Sequence, residues 1–197
     1  MFISGALILF QAMNPILASA ILPGWGESII GKKNQAKVFF IVEGTLWLSY
    51  AGFNYFGQKG LSSSRAFAVD HCGANPTRSD AEYYDVLEDY MSADDYNLEV
   101  ERNASLYFPD DPVEQQNYIN ENGYFGADAW SWDESASRTE YWQDRRQARE
   151  NLQRASFMSG FVFINRLVSV INVAVLNRQE DFSLESRENR IGIYLKF

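Results

Sequence analysis

The sequence predicts a mainly α-helical chain with two or three transmembrane helices, an acidic extramembrane helical domain on a long continuous helix, and a short C-terminal strand. Three observations carry that prediction. Residues 2–22, 36–56 and 155–176 are apolar over about twenty positions each, the length that crosses a bilayer core. Charge is segregated: the net charge is −9, yet residues 57–155 hold 20 of the 26 acidic and only 9 of the 17 Lys and Arg side chains. Between the apolar segments, hydrophobic residues recur at helical spacing behind N-capping residues. The chain therefore divides into an N-terminal membrane hairpin (1–56), an acidic helical domain (57–135), a long helix with a membrane-embedded second half (136–178), and a tail (179–197).

In the first segment Pro15 is expected to kink a membrane helix. Ala18-Ser19-Ala20 also has the small-x-small form of a signal-peptidase site, but the extreme N-terminus lacks Lys and Arg, so retention is the favoured reading. Pro23, Gly24 and Gly26 then make a membrane turn, followed by the basic flank Lys32, Lys33 and Lys37. Basic residues at membrane ends stay on the cytoplasmic side. For an inner membrane this puts the acidic domain outside.

The second segment, 36–56, contains one acid. Glu43, Trp47, Tyr50 and Asn54 fall at i, i+4, i+7, i+11 and form one polar stripe. In the third segment Asn165, Ser169 and Asn172 repeat that spacing, with Arg166 at the edge of the face. A charge deep in a membrane costs about 2.5–3.5 kcal/mol even on lenient scales, so it is paired and turned inward. Glu43 and Arg166 are the acid and the base of these two segments. They are expected to form an ion pair, with Asn165, Asn172, Ser169 and Tyr50 completing a polar network.

The middle region reads as short helices. Gly57 to Gly60 and Ser62 to Ser64 suggest a loop before a helical piece at 65–69. Ser79-Asp80-Ala81-Glu82 is a capping box ahead of a helix over 80–92. Asp94-Asp95 cap a second helix to Leu106, and Asp111-Pro112 with Glu114 open a third that Gly123 stops. Trp130 and Trp132 are linker aromatics before Ser137-Arg138-Thr139-Glu140, where a helix of some forty residues begins. Its inward stripe is Tyr141, Ala148, Leu152 and Ala155, with arginines facing the acidic helices. In the tail Ile191, Ile193, Leu195 and Phe197 alternate like a strand.

Several functions are excluded by composition. A sequence pI near 4.6 leaves no basic face for nucleic acid. Cys72 is the one cysteine and His71 the one histidine, so no intrachain disulfide forms and His/Cys metal sites are hard to build. Phosphate loops, nucleophile elbows and EF-hand spacing are missing. No cofactor, metal or catalytic residue is expected.

The run Ala18 to Glu27, the glutamate-containing second segment, Trp130-x-Trp132 followed by Arg138 and Tyr141, and Asn165-Arg166-x-x-Ser169 together resemble an uncharacterised bacterial envelope family. The resemblance spans residues 15–180, and Glu27 stands where that family usually has Gln. It implies an integral protein of the bacterial cell envelope, with inner and outer membrane both open, and an acidic domain that is periplasmic or external. The expected role is a non-catalytic structural or assembly subunit that meets membrane lipids and binds other envelope proteins or itself through the acidic, aromatic-rich domain and the C-terminal tail. The alternative is a small transport or channel component using the Glu43/Arg166 stripe.

Overall fold

A computed structural model describes residues 13–194, with side chains through residue 179. The chain forms two compact units, one of residues up to Gly52 with those from Arg154 onward, the other Phe53–Gln153. In order the helices are α1 (Pro15–Ile21), α2 (Trp25–Ile29), α3 (Lys33–Cys72), α4 (Ala81–Asp89), α5 (Ala93–Tyr107), α6 (Pro112–Asn122) and α7 (Ser135–Tyr194). Among the described residues the only β pairing is an isolated bridge between Ser92 and Ser131.

Pro15 begins a helix instead of kinking one. It sits at the first helical position, where the missing N–H costs nothing, and Asn14 caps it by accepting from the Ile16 amide at 2.9 Å. Residues 1–12 of the first apolar segment lie outside the described residues. The expected turn is present but contains the single-turn helix α2, entered through Gly24 at φ 94°. At Gly24 a side chain would also meet the Ala36 carbonyl oxygen at 2.6 Å, so glycine is required twice over.

The loop expected over 57–64 does not form. Helix α3 continues unbroken to Cys72 because its glycines serve packing: a Cβ at Gly57 would lie 2.6 Å from Leu152 Cγ, and one at Gly60 2.8 Å from Ala148 Cβ. Ser64 remains compatible with the helix by donating to the Leu61 carbonyl at 2.9 Å.

Two caps are shifted from their expected positions. Asp80, not Ser79, caps α4 by accepting from the Tyr83 amide, and Ser92 caps α5, leaving Asp94 and Asp95 in the first turn where the helix dipole favours acids. Asp111 caps α6 with Pro112 at its first position. Helix α7 starts at Ser135 and remains helical to Tyr194, so the C-terminal strand is replaced by helix; residues 195–197 lie outside the described residues. A lone strand has no ladder partner, whereas a helix satisfies its own backbone.

The core of the Phe53–Gln153 unit is aromatic. Tyr83, Tyr84, Leu87, Trp130, Trp132 and Tyr141 are all buried. Some of their polar ends reach backbone carbonyls: Trp132 Nε1 donates to Leu87 at 3.0 Å and the Tyr141 hydroxyl to Tyr84 at 2.8 Å. The segment 130–133 is laced into this core, its amides donating to the carbonyls of Cys72, Met91 and His71, while Ala93 N–H donates to Trp130 at 2.9 Å. Trp130 and Trp132 are thus core residues as well as linker residues.

Helix α7 is the one described helix long and apolar enough to cross a membrane, over Ser135–Gln179. The second apolar segment lies in α3, but Glu43, Asn54 and its tyrosines dilute its apolar character below that level. Two or three spans therefore reduce to one candidate span among the described residues.

Candidate functional site

Two buried carboxylates organise the unit built from residues up to Gly52 and from Arg154 onward. Glu43 accepts from Arg166 Nη2 at 3.2 Å, Asn165 Nδ2 at 3.0 Å and Trp47 Nε1 at 3.0 Å. The sequence brings these groups together by simple spacing: Trp47 lies one turn beyond Glu43 on α3, and Asn165 and Arg166 are neighbours on α7. The ion pair is lopsided. The Glu43 side chain is 5% exposed, while Arg166 is 36% exposed.

Glu27 is the second centre and is fully buried. Ser19 Oγ donates to it at 3.0 Å, Ser169 Oγ at 2.9 Å and Asn172 Nδ2 at 3.0 Å. Each serine oxygen in turn accepts a backbone amide, Gly26 N–H on Ser19 and Gly24 N–H on Ser169, both at 3.1 Å. With an amide on each oxygen, the hydroxyl protons are left to point at the carboxylate. Gly26 is glycine for this reason, since any Cβ there would collide with the Pro15 carbonyl and the Ser19 hydroxyl. The Pro23, Gly24 and Gly26 turn is therefore part of the polar site.

The expected network is divided between the two centres. Asn165 and Arg166 serve Glu43, while Ser169 and Asn172 serve Glu27; Asn172 also donates to Gln35 Oε1 at 3.1 Å. Tyr50 packs its ring edge-on against Trp47 at 5.8 Å between centroids, and Trp47 occupies the donor position expected of Tyr50. Glu27, Ser19 and Gln35 lie outside the polar network expected from the sequence. The available signal was that Glu27 is the first charge in the chain, placed directly after Pro-Gly-x-Gly.

The acidic unit carries its own charged cluster. Arg145 bonds to Asp85 and to Glu88, and Arg149 bonds to Glu88. The Arg145 guanidinium also lies 5.6 Å from the Tyr141 ring centre, within cation–π range. Burial alone would raise the Glu88 carboxyl, but Arg149 and Arg145 reverse this and hold it below the usual carboxylate range. The arginines of α7 do face the carboxylates of α4.

His71 and Cys72 bond to different partners. His71 Nδ1 lies 2.8 Å from Asp133, while the Cys72 thiol points back into its helix and donates to the Ala68 carbonyl at 3.0 Å. Burial pushes that thiol up to about 12, away from thiolate chemistry. No group of three or more His, Cys, Asp or Glu side chains suited to a metal occurs among the described residues. The two polar centres join α3 and the N-terminal turn to α7 through buried hydrogen bonds.

No protein-family model, curated protein or solved structure matches this chain.

Proposed function

We propose that this chain is a non-catalytic structural or assembly subunit of a membrane complex in the bacterial cell envelope. The observation that carries the reading is the inverted polarity of the unit containing Glu27 and Glu43. Leu48 and Phe163 are 77% and 63% exposed, while both carboxylates are buried within hydrogen bonds. In water that arrangement exposes apolar surface and hides charge; in lipid both preferences are met. The envelope assignment is supported by the resemblance carried by residues 18–27, Trp130-x-Trp132 and Asn165-Arg166-x-x-Ser169. The aromatic, acidic Phe53–Gln153 unit is the surface offered to protein partners.

The test is fractionation followed by purification. The protein should remain with membranes after alkaline carbonate washing and should carry other envelope proteins, or further copies of itself, in fixed ratio after mild detergent extraction. Release into the soluble fraction without detergent would reject the reading. Transport is the alternative, and the second buried carboxylate is the observation that favours it. Ion flux in liposomes that disappears in E27Q and E43Q variants would establish that role instead.

A further inference from the structure

The basic flank and one face of α3 make a continuous exposed stripe. From Ser28 to Val42 the chain has three lysines and no acid. Lys33 and Lys37 are exposed one turn apart, and Ile41, Gly44 and Leu48 continue the same face at i+8, i+11 and i+15 from Lys33. Ile41 is 68% exposed, and a Cβ built at Gly44 would meet nothing within 4 Å. Gly44 therefore leaves a shallow apolar notch between Ile41 and Leu48. Beside the lysines, Gly31 to Gln35 line a cleft of about 370 Å³. Gln35 is held there by its bond from Asn172, which ties the cleft to the Glu27 centre.

Lengths match a lipid. Lys37 to Leu48 is eleven residues, or about 16 Å of helix, close to half of a hydrocarbon core of about 30 Å. Two ammonium groups at one end suit a phosphate that carries net negative charge. A choline headgroup would bring its own cation against them. Free phosphate would use the lysines and leave the apolar notch without a role.

We infer that this face is a binding site for an anionic phospholipid, with the phosphate at Lys33 and Lys37 and one acyl chain along Ile41, Gly44 and Leu48. The inference rests on the membrane reading above and adds the lipid class. Its test uses the full chain in mild detergent, titrated in mixed micelles with dioleoyl-phosphatidylglycerol, dioleoyl-phosphatidylcholine or sodium phosphate, with retained ligand read by native mass spectrometry. Phosphatidylglycerol should be retained and phosphatidylcholine lost. K33Q/K37Q should weaken phosphatidylglycerol about thirtyfold, from about a factor of five per lysine. K33R/K37R should bind like the wild type, and circular dichroism should show all variants folded. Equal retention of the two lipids, unchanged affinity in folded K33Q/K37Q, or phosphate alone binding as tightly as phosphatidylglycerol would each overturn the site. Membrane residence with no lipid preference rejects this site alone, whereas a carbonate-soluble chain rejects the membrane reading and the site together.

Discussion

At the scale of single residues, the lopsided burial of the Glu43–Arg166 pair predicts unequal mutational costs. R166M removes the cation from a buried carboxylate that keeps its bonds from Asn165 and Trp47, and should lose about 1.5–3 kcal/mol. E43Q leaves a partly exposed guanidinium that can still find water, so its loss should be smaller. The double variant E43Q/R166M should lose less than the two single losses combined; thermal unfolding in detergent reads all three, and strict additivity would reject the coupling. Glu88 makes a pH prediction. Its acidity is greater in the folded chain than in the unfolded one, so its stabilising contribution is fully present above the ordinary carboxylate value and fades as pH falls through the lower folded one. Urea midpoints of the protein should therefore drop below about pH 4, and E88Q should flatten that slope while lowering the neutral-pH midpoint. Cys72 should ignore maleimide in the native protein at pH 7 and react on unfolding, since its thiol is buried, hydrogen-bonded and raised to about 12. Labelling at the rate of a free thiol would contradict that burial.

At the scale of elements, glycine has opposite meanings in the two long helices. G57A places a Cβ against Leu152 and should destabilise by about 1–3 kcal/mol through overpacking. Gly160 of α7 has open space around it, so G160A should stabilise by about 0.5–1 kcal/mol through helix propensity. Melting temperatures that move in the same direction for both variants would reject this assignment. The contrast also shows which elements are legible in the sequence. Asp111-Pro112 announces α6 because a cap and an N1 proline act within one turn. Gly57 and Gly60 mimic a loop because the reason for them lies 88 to 95 residues away, at Ala148 and Leu152. The caps at Ser79 and Asp94 are displaced by one or two positions, since neighbouring Ser and Asp side chains compete for the same amides. The tail alternates like a strand, but alternation is local and pairing is not. In the candidate site Glu43 and Arg166 are legible because opposite charges in apolar segments need one another. Glu27 is hidden because its donors are neutral, and neutral hydroxyls and amides carry no sign by which sequence can match them.

At the scale of the whole molecule, the folded units sharpen the charge segregation. Phe53–Gln153 carries a net −12 and the remainder +3, so the two compact units differ in charge as well as in the polarity of their interiors. The acidic unit has a core of rings and holds buried Glu88 with two arginines, while the other unit surrounds two buried carboxylates mainly with neutral donors. The Glu27 clamp has a consequence for biosynthesis. Glu27 precedes Ser169 by 142 residues and Asn172 by 145. At about 5–20 residues per second, a ribosome needs about 7–30 s to supply those donors after Glu27 has been made. During that interval Ser19 is the one side-chain donor at hand among those described, and the N-terminal helices carry an under-bonded carboxylate whose burial is costly. On the membrane reading proposed above, the clamp around Glu27 therefore closes only once α7 has been made, and the packing of α1 and α2 is completed late in the synthesis of this chain.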